Sequence, residues 1–76
     1  AEWGRLRALV EQVAQGMDER LSVHSFRLVR GRGMPRLVFD LATPYGMDQE
    51  VVRQTLREKM VEAGITNPVT IRFDEE

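Results

Sequence analysis

The sequence predicts an α+β domain, a small two-layer α-β-β-α-β sandwich in which two helices cover one face of a three-stranded mixed sheet. Along the chain, apolar residues first recur at helical spacing and then alternate with polar residues in two segments. They return to helical spacing after these segments and alternate with polar residues once more at the end. Gly31-Arg32-Gly33 lies between the first two alternating segments, where a short turn joins two antiparallel strands. A helix between the second and third strands makes those strands parallel, because a parallel pair needs a crossover connection.

The first helix is predicted from one apolar stripe near the amino end of the chain. The stripe consists of Trp3, Leu6, Leu9, Val10, Val13 and Met17. Gly16 and Asp18 mark the end of this helix. We interpret Trp3, the largest apolar side chain, as covering the core of this domain. The alternative is that Trp3 packs on a partner or on a preceding segment.

The first strand follows Arg20, where the apolar pattern changes to period two. Strict alternation places one set of side chains on the core face: His24, Phe26 and Leu28. The residues between them then lie on the opposite face: Ser25, Arg27 and Val29. Gly31-Arg32-Gly33 ends the strand, and Pro35 suits the start of the next one rather than its interior.

The second strand alternates in the same way. Its apolar face carries Leu37, Phe39 and Leu41, and its other face carries Val38, Asp40 and Ala42. Pro44 and Gly46 end it. Because the second strand lies between the hairpin and the crossover, we expect it to pair with both other strands.

The second helix has a start, a stripe and an end in the sequence. Asp48 is a suitable N-cap, and Gly64 is suited to the position just after the last turn. The buried stripe consists of Val52, Leu56, Met60 and Ala63. The last strand then alternates, with Val69, Ile71 and Phe73 on the core face and Thr70, Arg72 and Asp74 on the other.

The size and composition of the chain limit the functions that it can have. With 76 residues it is a single small domain, for which an oligomer interface would supply extra burial. The formal net charge of −1 gives no reason for strong nonspecific attraction to nucleic acid or anionic lipid. The absence of cysteine excludes disulfides, thiolate metal ligands and a cysteine nucleophile. No signal peptide or membrane-spanning apolar run is visible, so we expect the chain to be soluble.

Enzymatic activity is not expected. His24 is the one histidine, and no second histidine is present to activate Ser22 or Ser25 as a nucleophile. Gly31-Arg32-Gly33 joins two strands instead of opening a helix, so it lacks the helix N-terminus that a phosphate loop uses.

The hairpin carries several arginines, which suggests an alternative function. Arg27, Arg30, Arg32 and Arg36 cluster around the turn. An open sheet with basic residues is typical of some RNA-binding modules, but those also use exposed aromatic side chains for stacking. A freestanding binding module that binds RNA through this hairpin is therefore the alternative function, and a solvated hairpin is the simpler interpretation.

His24, Asp40 and Asp74 are the remaining set of residues that could form a functional site. One imidazole and two carboxylates are suitable ligands for Zn²⁺, Mn²⁺ or Fe²⁺. Asp40 and Asp74 share a face on adjacent strands. His24 joins them only if it precedes the regular strand or a β-bulge turns it away from the core face.

Several of these segments resemble one known family. Val23-His24-Ser25-Phe26-Arg27 resembles the VHDxR opening of the cytoplasmic carboxy-terminal domain of cation diffusion facilitator (cation efflux) transporters. Leu37-Val38-Phe39-Asp40-Leu41, followed by Thr43-Pro44-Tyr45, resembles the IFDxxxP(F/Y) strand of one bacterial branch. Met47-Asp48-Gln49-Glu50 is similar to the family's helix start, and the segment from Val69 to Asp74 is similar to its last strand.

The resemblance implies a ferredoxin-like, metallochaperone-like domain that forms a homodimer in the cytoplasm below a transmembrane exporter of divalent metals. In members that bind metal there, cations between or beside the protomers favour closure of the dimer and so regulate transport. The implied metals are Zn²⁺, Mn²⁺, Fe²⁺ or Co²⁺. The implied partners are a second copy and the transmembrane domain of the same transporter, with no nucleic acid. Residues 1–76 are then one cytoplasmic regulatory and dimerisation domain, and not an enzyme.

The resemblance also assigns positions to candidate ligands. His24 matches the histidine after the opening valine, and Asp40 falls where other branches have a second-strand histidine. Arg72 falls where they have a third-strand histidine, and Asp74 matches an acidic residue two places further on. Ser25 replaces the usual aspartate of the opening motif. A guanidinium has no acceptor atom and so cannot coordinate a metal ion. Arg72 at this position therefore implies a salt bridge to Asp40 or Asp74 in place of a bound metal.

Overall fold

The computed structural model describes residues 1–75. It contains α1 (Glu2–Met17), β1 (Ser22–Val29), β2 (Arg36–Thr43), α2 (Gln49–Glu62) and β3 (Val69–Glu75), in that order. The predicted α-β-β-α-β order is confirmed. Within the described residues, neither helix combines the length and the apolar character that a membrane crossing requires.

The sheet has the predicted mixed topology. Its strand order is β1-β2-β3, with β1 antiparallel to β2 and β3 parallel to β2. The backbone N–H of Leu37 donates to the carbonyl of Pro68 at 2.8 Å, where the parallel ladder begins. Six of the eight residues of β2 are buried, as expected for a central strand covered by its neighbours.

The core lies between the sheet and the two helices, which cover one face of the sheet as predicted. The helices contribute Leu6, Val10, Ala14, Val52, Leu56 and Met60. The sheet contributes Val23, Phe26, Leu37, Phe39, Leu41 and Ile71. Leu9, Val13 and Met17, predicted in the stripe of α1, lie partly buried at the margin of this core. Ala14, which the stripe omitted, is completely buried in this core.

The predicted boundaries of α2 are confirmed by its capping contacts. The carboxylate of Asp48 accepts hydrogen bonds from the N–H groups of Glu50 and Val51 at 3.1 and 3.2 Å. Gly64 follows the helix with a φ of +90°, a conformation that glycine adopts without steric penalty.

Strict alternation in β1 is wrong, because the strand contains a β-bulge. His24 pairs with Asp40 and Arg27 pairs with Val38, so Ser25 and Phe26 together lie opposite the single residue Phe39. Ser25 has a φ of +53°, in the left-handed region. The bulge shifts the alternation by one residue: Val23 is buried before it and Phe26 is buried after it. His24 therefore lies on the face away from the helices, and not beside Phe26 as alternation predicts.

Candidate functional site

The sheet surface that faces away from the helices is the candidate site, and we call it the open face. By the register of the strands it carries Ser22, His24, Arg27, Val29, Arg36, Val38, Asp40, Ala42, Thr70, Arg72 and Asp74. No helix covers it. It is the one large surface of the sheet on which polar side chains from all three strands come together.

His24, Asp40 and Arg72 form one row across the open face. His24 is the cross-strand partner of Asp40 in β1, and Arg72 is its partner in β3. Side chains directly opposite each other in neighbouring strands have Cβ atoms about 5 Å apart. The bulge is what makes this row possible, since it brings His24 to the face that carries the two other residues.

The hydroxyl of Ser22 and the Nε2 atom of His24 lie 2.9 Å apart, at hydrogen-bond distance. Both side chains point to the open face, two residues apart in β1. Asp74 lies one row from Arg72, where it pairs with Ala42 of β2. The structure thus brings His24 and Asp40 to adjacent positions, and places Asp74 on the same face in the next row.

Arg72 does not form the predicted salt bridge within the described residues. The ion pairs there join Arg7 to Glu11, Arg20 to Asp18, Arg30 to Glu2 and Arg53 to Glu50. Arg72 is exposed at the edge of the sheet, and its charge remains close to the row that carries His24 and Asp40.

The open face of one chain does not assemble a complete set of metal donors. Among residues 1–75, no three His, Cys, Asp or Glu side chains are grouped closely enough to hold a metal ion. His24 and Asp40 therefore constitute at most part of a ligand set in a single copy.

The apolar residues of the open face are largely covered within the domain. Val38 and Ala42 are only 8% and 3% exposed. Val29, at the end of β1, is 48% exposed. Of these three apolar residues, Val29 is therefore the one that contributes substantially to the surface of the open face.

Three of the four arginines of the hairpin, Arg27, Arg30 and Arg36, contact neighbouring polar groups. Arg27 donates to the carbonyl of Ser25 at 2.7 Å, and Arg36 donates to the hydroxyl of Thr70 at 3.3 Å. Arg30 lies 3.7 Å from the carboxylate of Glu2. No aromatic side chain lies on the described open face, which leaves it without the stacking surface typical of RNA-binding sheets.

Trp3 makes a contact with the bulge that the sequence analysis did not predict. Trp3 Nε1 donates to the carbonyl oxygen of Phe26 at 3.2 Å, and the two rings meet edge to face at 6.0 Å between centroids. Trp3 thus contacts this domain's own β1, although its side chain remains 47% exposed. The sequence does contain a signal for the bulge. Val23 and Phe26 are both apolar but lie three positions apart, so a regular strand would place them on opposite faces.

Together, the helices and the mixed sheet define a small α+β domain of the ferredoxin-like kind with an open polar sheet face. Comparison with known proteins gives no match to the chain, whether among family models, curated proteins or solved structures.

Proposed function

We propose that this chain is the cytoplasmic dimerisation and metal-responsive regulatory domain of a divalent metal cation efflux transporter. The observation that carries the proposal is the bulge at Ser25 and Phe26, which places His24 directly opposite Asp40 on the open face. The α-β-β-α-β order, which the resemblance to that family implies, also supports it. The domain regulates transport without carrying out a reaction.

The chemistry of the row suits a weak, shared cation site. His24 supplies one nitrogen donor and Asp40 supplies carboxylate oxygens, a combination that Zn²⁺, Mn²⁺, Fe²⁺ and Co²⁺ all accept. Residues 1–75 of one copy offer too few donors, so two copies that face each other would pool theirs, with Asp74 as a further candidate. Binding would then favour association of the two copies, which is how a cation would change the state of the domain.

The charge of Arg72 limits the affinity of such a site. Arg72 is the cross-strand partner of Asp40, so it brings a positive charge to the row in which a cation would bind. We therefore expect binding of micromolar strength or weaker.

Calorimetry with ZnCl₂ tests the metal part of the proposal. His24→Ala is expected to abolish the binding heat, and Asp40→Asn to reduce it. Arg72→His is expected to strengthen binding, because it exchanges a repelling charge for a donor. Glu58→Gln, an exposed carboxylate on α2, is the matched control and should leave the isotherm unchanged. An isotherm unaffected by His24→Ala would contradict the assignment of the site.

Sedimentation equilibrium tests the dimer separately. We expect association at modest protein concentration, and tighter association when Zn²⁺ is added to the wild-type chain but not to His24→Ala. A monomer at high micromolar concentration, with and without Zn²⁺, would overturn the proposal.

The alternative is a freestanding module that binds RNA through the hairpin. It predicts a shift with single-stranded RNA that weakens steeply with salt and is lost when Arg30 and Arg32 are both replaced by glutamate. The burial of Phe26 and Phe39 in the core favours the regulatory domain over this alternative.

A further inference from the structure

The orientation of His24 depends on the register of β1. Before the bulge His24 pairs with Asp40, and after it Arg27 pairs with Val38. Between these two pairs β1 advances by three residues while β2 advances by two. A β1 paired in a single register throughout would place His24 and Phe26 on the same face, because side chains alternate with a period of two. The bulge alone allows Phe26 to enter the core while His24 faces outward.

The bulge is a strained conformation that needs support. Ser25 has a positive φ of 53°, which an L-residue with a Cβ atom adopts at a steric penalty. A regular register would avoid that penalty. Burial of both Val23 and Phe26 favours the observed register, and contacts at the bulge itself add to it.

Those contacts converge on Phe26. Its ring stacks on Phe39 at 6.1 Å on one side and meets Trp3 at 6.0 Å on the other. Its carbonyl oxygen accepts the indole N–H of Trp3 at 3.2 Å. The neighbouring carbonyl, that of Ser25, accepts from Arg27 at 2.7 Å. Backbone carbonyls at the bulge are thus satisfied by side chains.

We propose that Trp3 is a positioning residue for the open face: its indole holds the β1 bulge, and thereby the outward orientation of His24. Trp3 belongs to the first turn of α1, so this contact links the start of α1 to the row of His24 and Asp40. The functional importance of this contact rests on the proposed function. When a ligand binds at His24, its binding and the position of α1 influence each other reciprocally.

Amide hydrogen exchange tests the positioning role without any metal. Trp3→Phe keeps an aromatic ring near Phe26 and removes the indole donor. We expect the amides of Phe26, Arg27 and Leu28 to exchange about tenfold faster relative to those of β3, the effect of losing one hydrogen bond. Val52→Ala is the control: it removes core contacts of α2, so exchange in β1 and β3 should accelerate together. An unchanged ratio of β1 to β3 exchange in Trp3→Phe would overturn the proposal.

Nuclear Overhauser effects from the His24 ring provide a second readout. In the wild-type chain we expect contacts from this ring to Ser22 and Asp40. In Trp3→Phe we expect a second set of His24 resonances from the regular register. Absence of any change would contradict the role of Trp3. Because neither measurement contains metal, a failure of Zn²⁺ to bind counts against the proposed function alone.

Discussion

The guanidinium of Arg53 lies 5.0 Å from the centre of the Phe73 ring and donates to the carbonyl oxygen of Ile71 at 3.0 Å. One turn further along α2, Arg57 donates to the carbonyl of Val69 at the same distance. Both carbonyls belong to β3, an edge strand. Two arginines of α2 therefore cover backbone groups that a strand from another molecule would need for pairing.

Replacing both arginines should expose this edge. We expect the double variant Arg53→Ala and Arg57→Ala to aggregate faster than the wild-type chain, as measured by light scattering on mild heating. The control is the double variant Arg5→Ala and Arg32→Ala, which removes the same charge from exposed positions. Equal aggregation rates in the two double variants would show that net charge, and not edge protection, determines the result.

Ser25→Gly should stabilise the domain. Glycine adopts the positive φ of the bulge without the steric penalty of serine, which raises the stability of the folded chain. The greater conformational entropy of glycine in the unfolded chain offsets part of that stabilisation. We expect a net increase of about 0.5–1 kcal/mol in the free energy of unfolding, measured in urea. Ser25→Val should be destabilising, because a β-branched residue fits that conformation poorly. A loss of stability in Ser25→Gly would show that the Ser25 side chain itself supports the bulge.

Thr43→Val should also be stabilising. Thr43 is 1% exposed, and its hydroxyl has no hydrogen-bond partner among residues 1–75. Removal of an unpaired buried hydroxyl without loss of volume is expected to raise the free energy of unfolding by about 1 kcal/mol. Thr70→Val is the control at a less buried position, where the hydroxyl accepts from Arg36. Destabilisation by Thr43→Val would indicate that the hydroxyl has a partner in solution.

The turn between α1 and β1 should contribute to acid sensitivity. Hydrogen bonds from the Arg20 guanidinium, and then from its backbone N–H, lower the pKa of Asp18 to about 2. The ordinary pKa of an aspartate is about 3.9, so this contribution is complete above that pH and is lost as the pH falls towards the folded-state pKa.

Asp18→Asn should therefore lose part of the stability at neutral pH and show a shallower decline between about pH 4 and pH 2. Urea unfolding across that range measures both effects. Glu19→Gln, which alters the adjacent exposed carboxylate, serves as the control. Parallel pH profiles for Asp18→Asn and the wild-type chain would contradict the assignment.

The elements of the fold were predictable because each has a local signal. Asp48 and Gly64 mark the two ends of α2, and the glycines after Arg30 mark the hairpin turn. The parallel pairing of β3 follows from the crossover, which leaves a short chain few other topologies. Ala14 was missed because alanine contributes little to an apolar stripe, although its side chain is completely buried.

The candidate site was less predictable, since it depends on a register. Which residue of β1 lies opposite Asp40 is determined by the whole hairpin and by the extra residue at Ser25. Local alternation carries no information about such a residue unless the change of parity between Val23 and Phe26 is noticed. The hydrogen bond from Trp3 to the bulge joins residues 23 positions apart, and no local pattern predicts it.

The burial of β2 has a consequence for the folding of the chain. Asp40 is the single charge within Leu37–Ala42, a run of otherwise apolar residues that includes valine and phenylalanine. Before the helices cover it, such a segment is prone to stack with identical segments from other molecules, and a central charge opposes that stacking. Pro35 and Pro44 flank the strand and limit its extension. We therefore expect Asp40 to oppose aggregation of this segment during synthesis and folding, which would make an acidic residue useful here whether or not any cation binds.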